Sequence, residues 1–112
     1  HVVCVGVSDR QMAEAVRWIF SNRGGIAIND GQTVHGLPLP IGGLMTSDPV
    51  EKAGNRYQEL TRIAKMLGSS LHAPFMTLSF MALLVIPSLK ISDRGLFDAD
   101  SFSFTPLFDR AI

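Results

Sequence analysis

The chain has 112 residues, which fits one domain, and its 46% hydrophobic and 18% charged residues exclude intrinsic disorder. Ten basic residues balance ten acidic ones, which argues against nucleic acid and anionic membranes as partners, since both select clustered Lys and Arg. The single cysteine, Cys4, excludes an internal disulfide and lies in an apolar run, so we interpret it as a small buried hydrophobe in a cytoplasmic protein.

The amino-terminal segment predicts a strand followed by a helix. The β-branched run from Val2 to Val7 is typical of a buried strand. Ser8 or Asp9 is expected to cap the helix, because a side-chain oxygen there accepts hydrogen bonds from the first free amides. Gly24 and Gly25 are expected to end it, since glycine adopts the left-handed cap conformation at little cost.

A β-hairpin is predicted after this helix. Its pattern is a strand from Ile26 to Asn29, a two-residue turn at Asp30-Gly31, which tolerates positive φ, and a partner strand from Gln32 to Leu37. Pro38 and Pro40 lack a backbone donor, so strand pairing is expected to end there.

The most regular pattern in the chain predicts a long helix. Asp48 is placed as its N-cap, Pro49 at its first position and Gly68 at its end. Six apolar positions, three or four residues apart, form a stripe that is expected to be buried: Val50, Ala53, Tyr57, Leu60, Ala64 and Leu67. Four charged positions fall off the stripe and are expected to face solvent: Arg56, Glu59, Arg62 and Lys65.

A third helix is predicted from Phe75 to Leu84, opened by Pro74, and it is apolar nearly all round. Such a helix should be covered on several sides, which a small domain alone achieves poorly. We therefore expect an exposed apolar patch on the isolated chain. The run is too short to cross a membrane.

The carboxyl-terminal segment predicts strands at Leu89 to Ile91 and around Phe102 and Phe104, with a turn at Ser92 to Gly95. Together the elements predict an α+β fold. It is expected to be a single domain over residues 1–112, with a mainly antiparallel β-sheet packed against about three α-helices.

The residues that could carry chemistry are scattered along the chain. His1, His35 and His72 show none of the HxH, HxxxH or HExxH spacings that place two ligands on one metal ion. We interpret His35 and His72 as surface or hydrogen-bonded structural residues. Gly42-Gly43 is either a backbone loop that approaches a ligand or, on the simpler interpretation, a tight connection.

Three segments resemble stretches of microbial adenine deaminases of the amidohydrolase type. Leu37 to Met45 (LPLPIGGLM) resembles their LPLPI(A/G)GLM stretch, and Pro74 to Leu83 (PFMTLSFMAL) resembles PFMTLSFLAL. Val85 to Leu96 (VIPSLKISDRGL) resembles VIPxLKLTDxGL. Their order and separation also agree over nearly the whole chain, so the chain is similar to the C-terminal domain of these enzymes.

The resemblance implies a fragment of a longer polypeptide that contains a metal-binding (β/α)₈ barrel. The whole enzyme would hydrolyse adenine to hypoxanthine and ammonia with a metal-activated hydroxide, the metal being manganese or iron, with zinc as a further alternative. The metal ligands, including an HxH pair, belong to the barrel. This segment is therefore expected to contain no catalytic residue, to bind no metal or other cofactor and to be inactive alone.

The resemblance also implies the partners. They are adenine as substrate of the full-length enzyme, the catalytic barrel of the same chain and further copies in a homo-oligomer, with neither nucleic acid nor membrane. His1 resembles the second histidine of a polar stretch that precedes the first strand in the family, so it is a candidate for the adenine pocket. Structural hydrogen bonding is the alternative role for His1.

Two rival hypotheses follow from other classes of protein. One is a free-standing, non-catalytic binding or oligomerisation module, which differs from the enzyme domain in what precedes His1 in the coding sequence. The other, a self-contained enzyme, is disfavoured because the sequence shows no nucleophile–base or metal constellation.

Overall fold

The computed structural model describes residues 1–108. In this range the helices and strands, in chain order, are α1 (Asp9–Ser21), β1 (Gly25–Asn29), β2 (Val34–Pro38), α2 (Val50–Met66), α3 (Pro74–Phe80), β3 (Leu89–Ser92), β4 (Gly95–Asp98) and β5 (Ser103–Phe104). The paired strands are antiparallel, so the predicted α+β class is confirmed. They form two sheets, β1-β2 and β3-β4-β5.

The chain divides into two compact units. One unit is Cys4–Phe75, and it contains α1, the hairpin of β1 and β2, and α2. The other unit is His1–Val3 together with the chain from Met76 onward, and it contains the sheet of β3, β4 and β5.

The first helix begins where the sequence predicts and ends just before the predicted glycines. Ser8 is the N-cap of α1, and its side chain accepts a hydrogen bond from the Gln11 amide at 3.5 Å. Gly24, with φ +120°, donates its amide to the carbonyl of Ile19 at 2.9 Å. The left-handed position directly after the C-cap Asn22 is Arg23, at φ +60°, so the prediction that Gly24 and Gly25 themselves end the helix is wrong.

The hairpin of β1 and β2 is confirmed, but its loop is longer than predicted. Gly25 pairs with Pro38 and Asn29 with Val34, so positions 30 to 33 form the loop. The prediction of a two-residue turn at Asp30-Gly31 is wrong. The Asp30 carboxylate accepts hydrogen bonds from the amides of positions 32 and 33 and so keeps both residues in the loop. Pairing ends at Pro38, as predicted.

The long helix α2 is confirmed, with a correction at its start. Pro49 is the N-cap and makes no side-chain capping bond, so the placement of Asp48 as N-cap is wrong. The carboxylate of Asp48 instead accepts a hydrogen bond from Lys52 Nζ at 3.0 Å, one turn into the helix. Gly68, at φ +104°, follows the last turn as predicted.

The core of the Cys4–Phe75 unit lies between the hairpin and the two long helices. Its buried apolar side chains are Ala15, Leu37, Leu60, Ile63 and Ala64. The ends of the predicted stripe are wrong, because Val50 is 77% and Leu67 is 54% exposed, whereas Leu60 is 0% exposed. The hairpin packs against α2, and the buried residues of the helix are Leu60, Ile63 and Ala64. The two ends of the apolar stripe are therefore not covered.

The predicted strand from Val2 to Val7 is absent in the structure. Val5 is 77% and Val7 is 103% exposed, and Cys4 is exposed as well. A strand requires a hydrogen-bonded neighbour, and none of the strands among residues 1–108 pairs with this run. The interpretations of a buried strand and of a buried Cys4 are therefore wrong for this chain.

The third helix is shorter and more exposed than predicted. The α-helix ends at Phe80, because the amides of Met81 and Leu83 bond to carbonyls three residues back instead of four. It therefore does not continue to Leu84. The described side chains of α3 include no buried one, and Met76 is 53% exposed, so the described residues do not cover this helix on several sides. The apolar surface that this leaves exposed is as predicted.

The second sheet contains a strand that the sequence analysis missed. β3 and β4 form a hairpin around Asp93-Arg94, inside the turn predicted at Ser92 to Gly95, and β4 itself was not predicted. Phe97 of β4 is 8% exposed, and its ring contacts the rings of Phe102 and Phe104 edge-on. The predicted last strand is confirmed at Ser103–Phe104, whereas Phe102 lies outside it with φ +51°.

Candidate functional site

The carboxylate of Asp30 organises the loop between β1 and β2. Its Oδ1 accepts hydrogen bonds from the amides of Gln32 at 2.9 Å and Thr33 at 2.8 Å. The hydrogen bonds from Thr33, from His35 and from Gln32, in that order of size, lower the pKa of Asp30 from 3.8 to about 2. Asp30 is therefore ionised at any pH near neutrality.

His35, on β2, makes a hydrogen bond to the same carboxylate. Its Nε2 lies 2.8 Å from Asp30 Oδ2, and the two side chains are 24% and 30% exposed. Because the carboxylate only accepts, the neutral imidazole carries its proton on Nε2. The contact confirms the interpretation of His35 as a hydrogen-bonded structural residue.

Arg56 ties α2 to the hairpin beside this pair. Its Nε donates to the carbonyl of Gly36 at 2.8 Å, and its Nη1 donates to Glu59 Oε2 at 2.6 Å. The hydrogen bond from Arg56 lowers the pKa of Glu59, and the charges of Arg56, His35 and Arg62 act in the same direction. The prediction that Arg56 faces solvent is wrong, because the Nε–H of its guanidinium donates a hydrogen bond to the carbonyl of Gly36 on β2.

Two open grooves flank this polar cluster. One, of about 450 Å³, runs beside β2 and includes Lys52, Arg56 and Glu59 in its lining. The other, of about 360 Å³, includes His35 and Asp30, and Glu59 lines both. Cations and carboxylates alternate along the grooves, so neither presents the single-signed field that binds phosphate. The lining residues include no Ser, Thr or Cys nucleophile.

The glycine pair of the LPLPIGGLM segment forms a tight turn. Gly42 and Gly43 have φ of +63° and +77°, and Ile41 and Met45 bond to each other across them, amide to carbonyl, at 3.1 Å in both directions. The backbone of Gly43 lies directly against Gly24, where a Cβ atom would overlap it. The interpretation of Gly42-Gly43 as a tight connection is confirmed.

The other two histidines are exposed. His1 is exposed and belongs to the other unit, so its role in an adenine pocket stays a prediction. His72 is exposed, as expected for a surface residue.

The described residues offer no metal centre. Between residues 1 and 108 no group of three or more His, Cys, Asp or Glu side chains could hold a metal ion, so the side chains present do not fit a catalytic metal. We derive no metal step in this chain. Among the same residues no helix is both long and apolar enough to span a bilayer.

The sequence model of the adenine deaminase C-terminal domain matches residues 1–103. The chain belongs to this family. It is 44% identical over 108 residues to the adenine deaminase of Methanosarcina mazei, covering 96% of this chain and 20% of that protein. The adenine deaminases of Methanosarcina acetivorans and Salinibacter ruber are 48% and 50% identical, again over 96% of this chain and 20% of theirs. No solved structure matches this chain.

The adenine deaminase C-terminal domain seen here thus spans about a fifth of the length of its relatives.

The sequence analysis did not predict the polar cluster around Asp30 and His35. The sequence contains one signal for it. An Asp at the start of a hairpin loop accepts hydrogen bonds from the backbone amides of that loop, and a residue five positions later, on the second strand, can lie beside its carboxylate. The contact of Arg56 with Gly36 has no comparable local signal, because it depends on how α2 crosses β2.

The lowered pKa of Asp30 predicts a pH dependence for this domain. A carboxyl whose pKa is lower in the folded than in the unfolded chain stabilises the fold above its ordinary pKa of 3.8, and the contribution is lost as the pH falls through about 2. We expect the urea midpoint of the wild type to exceed that of Asp30→Asn above pH 4, and the gap to shrink toward pH 2. Fluorescence of Trp18, the single tryptophan, reports the transition. A gap that stays constant with pH would contradict this role, since other carboxyls titrate equally in both proteins.

Proposed function

We propose that this domain is the C-terminal part of an enzyme that hydrolyses adenine to hypoxanthine and ammonia. The observation that carries the proposal is the family match over residues 1–103, together with relatives that are named adenine deaminase. The chain covers 20% of those relatives, so the reacting groups are proposed to lie in the remaining part of such a polypeptide.

Within that enzyme the domain acts as an accessory, not as the site of the reaction. Asp30, His35, Arg56 and Glu59 are held by one another and by backbone groups, as expected of residues that fix a hairpin on a helix. The proposed reaction uses a metal-activated hydroxide, with manganese or iron as the metal and zinc as a further alternative. The ligands for that metal belong to the part of the enzyme outside this domain, since the side chains described here do not fit one.

The proposal extends to the setting of the enzyme. Its partners are adenine, the catalytic barrel of the same chain and further copies in a cytoplasmic homo-oligomer. His1 is proposed to reach the adenine pocket, and the resemblance of its position to a histidine of the family supports this.

A comparison of two proteins tests the proposed function. The full-length protein, expressed from the complete coding sequence, is expected to convert adenine to hypoxanthine with release of equimolar ammonia. The 112-residue chain at the same molar concentration is expected to give no hypoxanthine above the buffer background. Chromatographic quantification of both purines measures this directly.

Other results would support the rival hypotheses. A start codon within a few residues of His1 would remove the catalytic part and favour a free-standing binding module. Deamination by the 112-residue chain itself, proportional to its concentration and insensitive to chelators, would make it a self-contained enzyme. Either result overturns the proposal.

A further inference from the structure

The second sheet carries apolar side chains on both of its faces. Leu89, Ile91 and Leu96 share one face, because Ile91 pairs directly with Leu96 and Leu89 lies two residues before Ile91. Phe97 pairs with Phe104 on the opposite face. An antiparallel sheet with one side in water alternates apolar and polar residues, so a sheet that is apolar on both sides needs cover on both.

The two faces differ in how far the unit covers them. On the aromatic face the rings of Phe102 and Phe104 cover Phe97, which is 8% exposed, while these two rings are themselves 68% and 52% exposed. On the opposite face, formed by Leu89, Ile91 and Leu96 and here named the aliphatic face, Leu89 is 55% and Ile91 is 80% exposed. Contiguous exposed aliphatic side chains of this kind mark an interaction surface.

We propose that the aliphatic face is the surface through which this domain docks onto the remaining polypeptide of its own enzyme. The inference rests on the proposed function, which supplies that polypeptide. The occupant is named from the length of the relatives, since the chain covers only 20% of each and most of such a polypeptide lies outside it. The docking surface of that polypeptide is apolar, to match three aliphatic side chains.

The chemistry of the face favours this occupant over others. Asp98 pairs with Leu89 and so shares the aliphatic face, whereas Lys90 pairs with Phe97 on the other side. The face therefore offers no cation to a nucleic acid or an anionic lipid surface. Three aliphatic side chains from each copy would also bury far less than the ~1,000 Å² that a stable interface between separate molecules requires. A covalent tether raises the effective concentration, so a smaller patch suffices within one polypeptide.

Photo-crosslinking in the full-length enzyme tests the inference. An aliphatic diazirine amino acid replaces Ile91, and the control carries the same group in place of Asp93, in the exposed turn of the same hairpin. After irradiation, denaturing gels separate single chains from crosslinked pairs, and peptide mass spectrometry identifies the joined residues. We expect position 91 to crosslink roughly tenfold or more above position 93, within single chains, to peptides outside the 112-residue domain.

Each other outcome overturns the inference. A product of twice the chain mass would identify a second copy as the occupant. Joined peptides that both lie within the 112 residues would show that the domain covers its own face. Equal yields at positions 91 and 93 would show that nothing covers it. Adenine turnover, measured on the same preparation, keeps the proposed function separate: an inactive enzyme that still crosslinks to its own remaining polypeptide contradicts that function alone.

Discussion

Replacement of Leu60 with alanine is expected to lower the free energy of unfolding of the Cys4–Phe75 unit by about 2–5 kcal/mol. Leu60 is 0% exposed and is the largest fully buried side chain of the described residues, so its removal takes apolar atoms out of the core and leaves a cavity. Urea unfolding followed by Trp18 fluorescence measures the change. The single tryptophan lies in the same unit, and its ring packs against Gly36 of β2.

A matched leucine at the end of the same helix serves as an exposed control for the effect of burial. Leu67 is the C-cap residue of α2 and is 54% exposed, so Leu67→Ala is expected to change the free energy of unfolding by no more than about 0.5 kcal/mol. Both substitutions remove the same side-chain atoms, and the sequence analysis predicted that both leucines are buried as parts of the apolar stripe. Equal shifts of the urea midpoint would contradict the assignment of Leu60 to the core.

This pair of leucines shows how far periodicity carries a prediction. The spacing of apolar residues identified the helix and its buried side, because a 3.6-residue repeat places those positions on one stripe. It could not tell Leu60 from Leu67, since the extent of burial along the stripe depends on where the hairpin crosses α2. The start of α1 and the end of α2 were predicted correctly, because Ser8 and Gly68 act through bonds and backbone conformations within a few residues of their own positions.

The candidate site was predicted less completely than the fold. The hydrogen bond between His35 and Asp30 depends on a four-residue loop, and the Asp-Gly pair was interpreted as a shorter turn. The role of His1 in an adenine pocket stays a prediction, with structural hydrogen bonding as the alternative.

The two largest errors of the fold prediction share one physical cause. The run from Val2 to Val7 and the segment after Pro74 were both interpreted as buried elements, because their composition is apolar. Apolar composition predicts burial but does not say what covers a segment, and among residues 1–108 no strand pairs with the first run and no side chain of α3 is buried. Val5 and Met76 are exposed here, which agrees with the proposal that polypeptide outside this domain covers part of its apolar surface.

Replacement of Gly24 with alanine is expected to destabilise the Cys4–Phe75 unit by on the order of 2–5 kcal/mol, for two independent reasons. Gly24 has φ +120°, a conformation that residues with a Cβ rarely adopt. The new Cβ would also overlap the Cα of Gly43, where two backbones meet without side chains between them. Urea unfolding reported by Trp18 is expected to show a lower midpoint at unchanged slope.

Gly54 provides the matched control, and its expected effect has the opposite sign. It lies within α2, and a Cβ added there meets no atom within 4 Å, so Gly54→Ala removes backbone freedom from the unfolded chain without a clash. We expect it to stabilise the unit by about 0.5–1 kcal/mol. Destabilisation by both variants would mean that any added methyl group harms the unit. Opposite signs would show that Gly24 must lack a side chain for its backbone to approach Gly43 of the LPLPIGGLM segment.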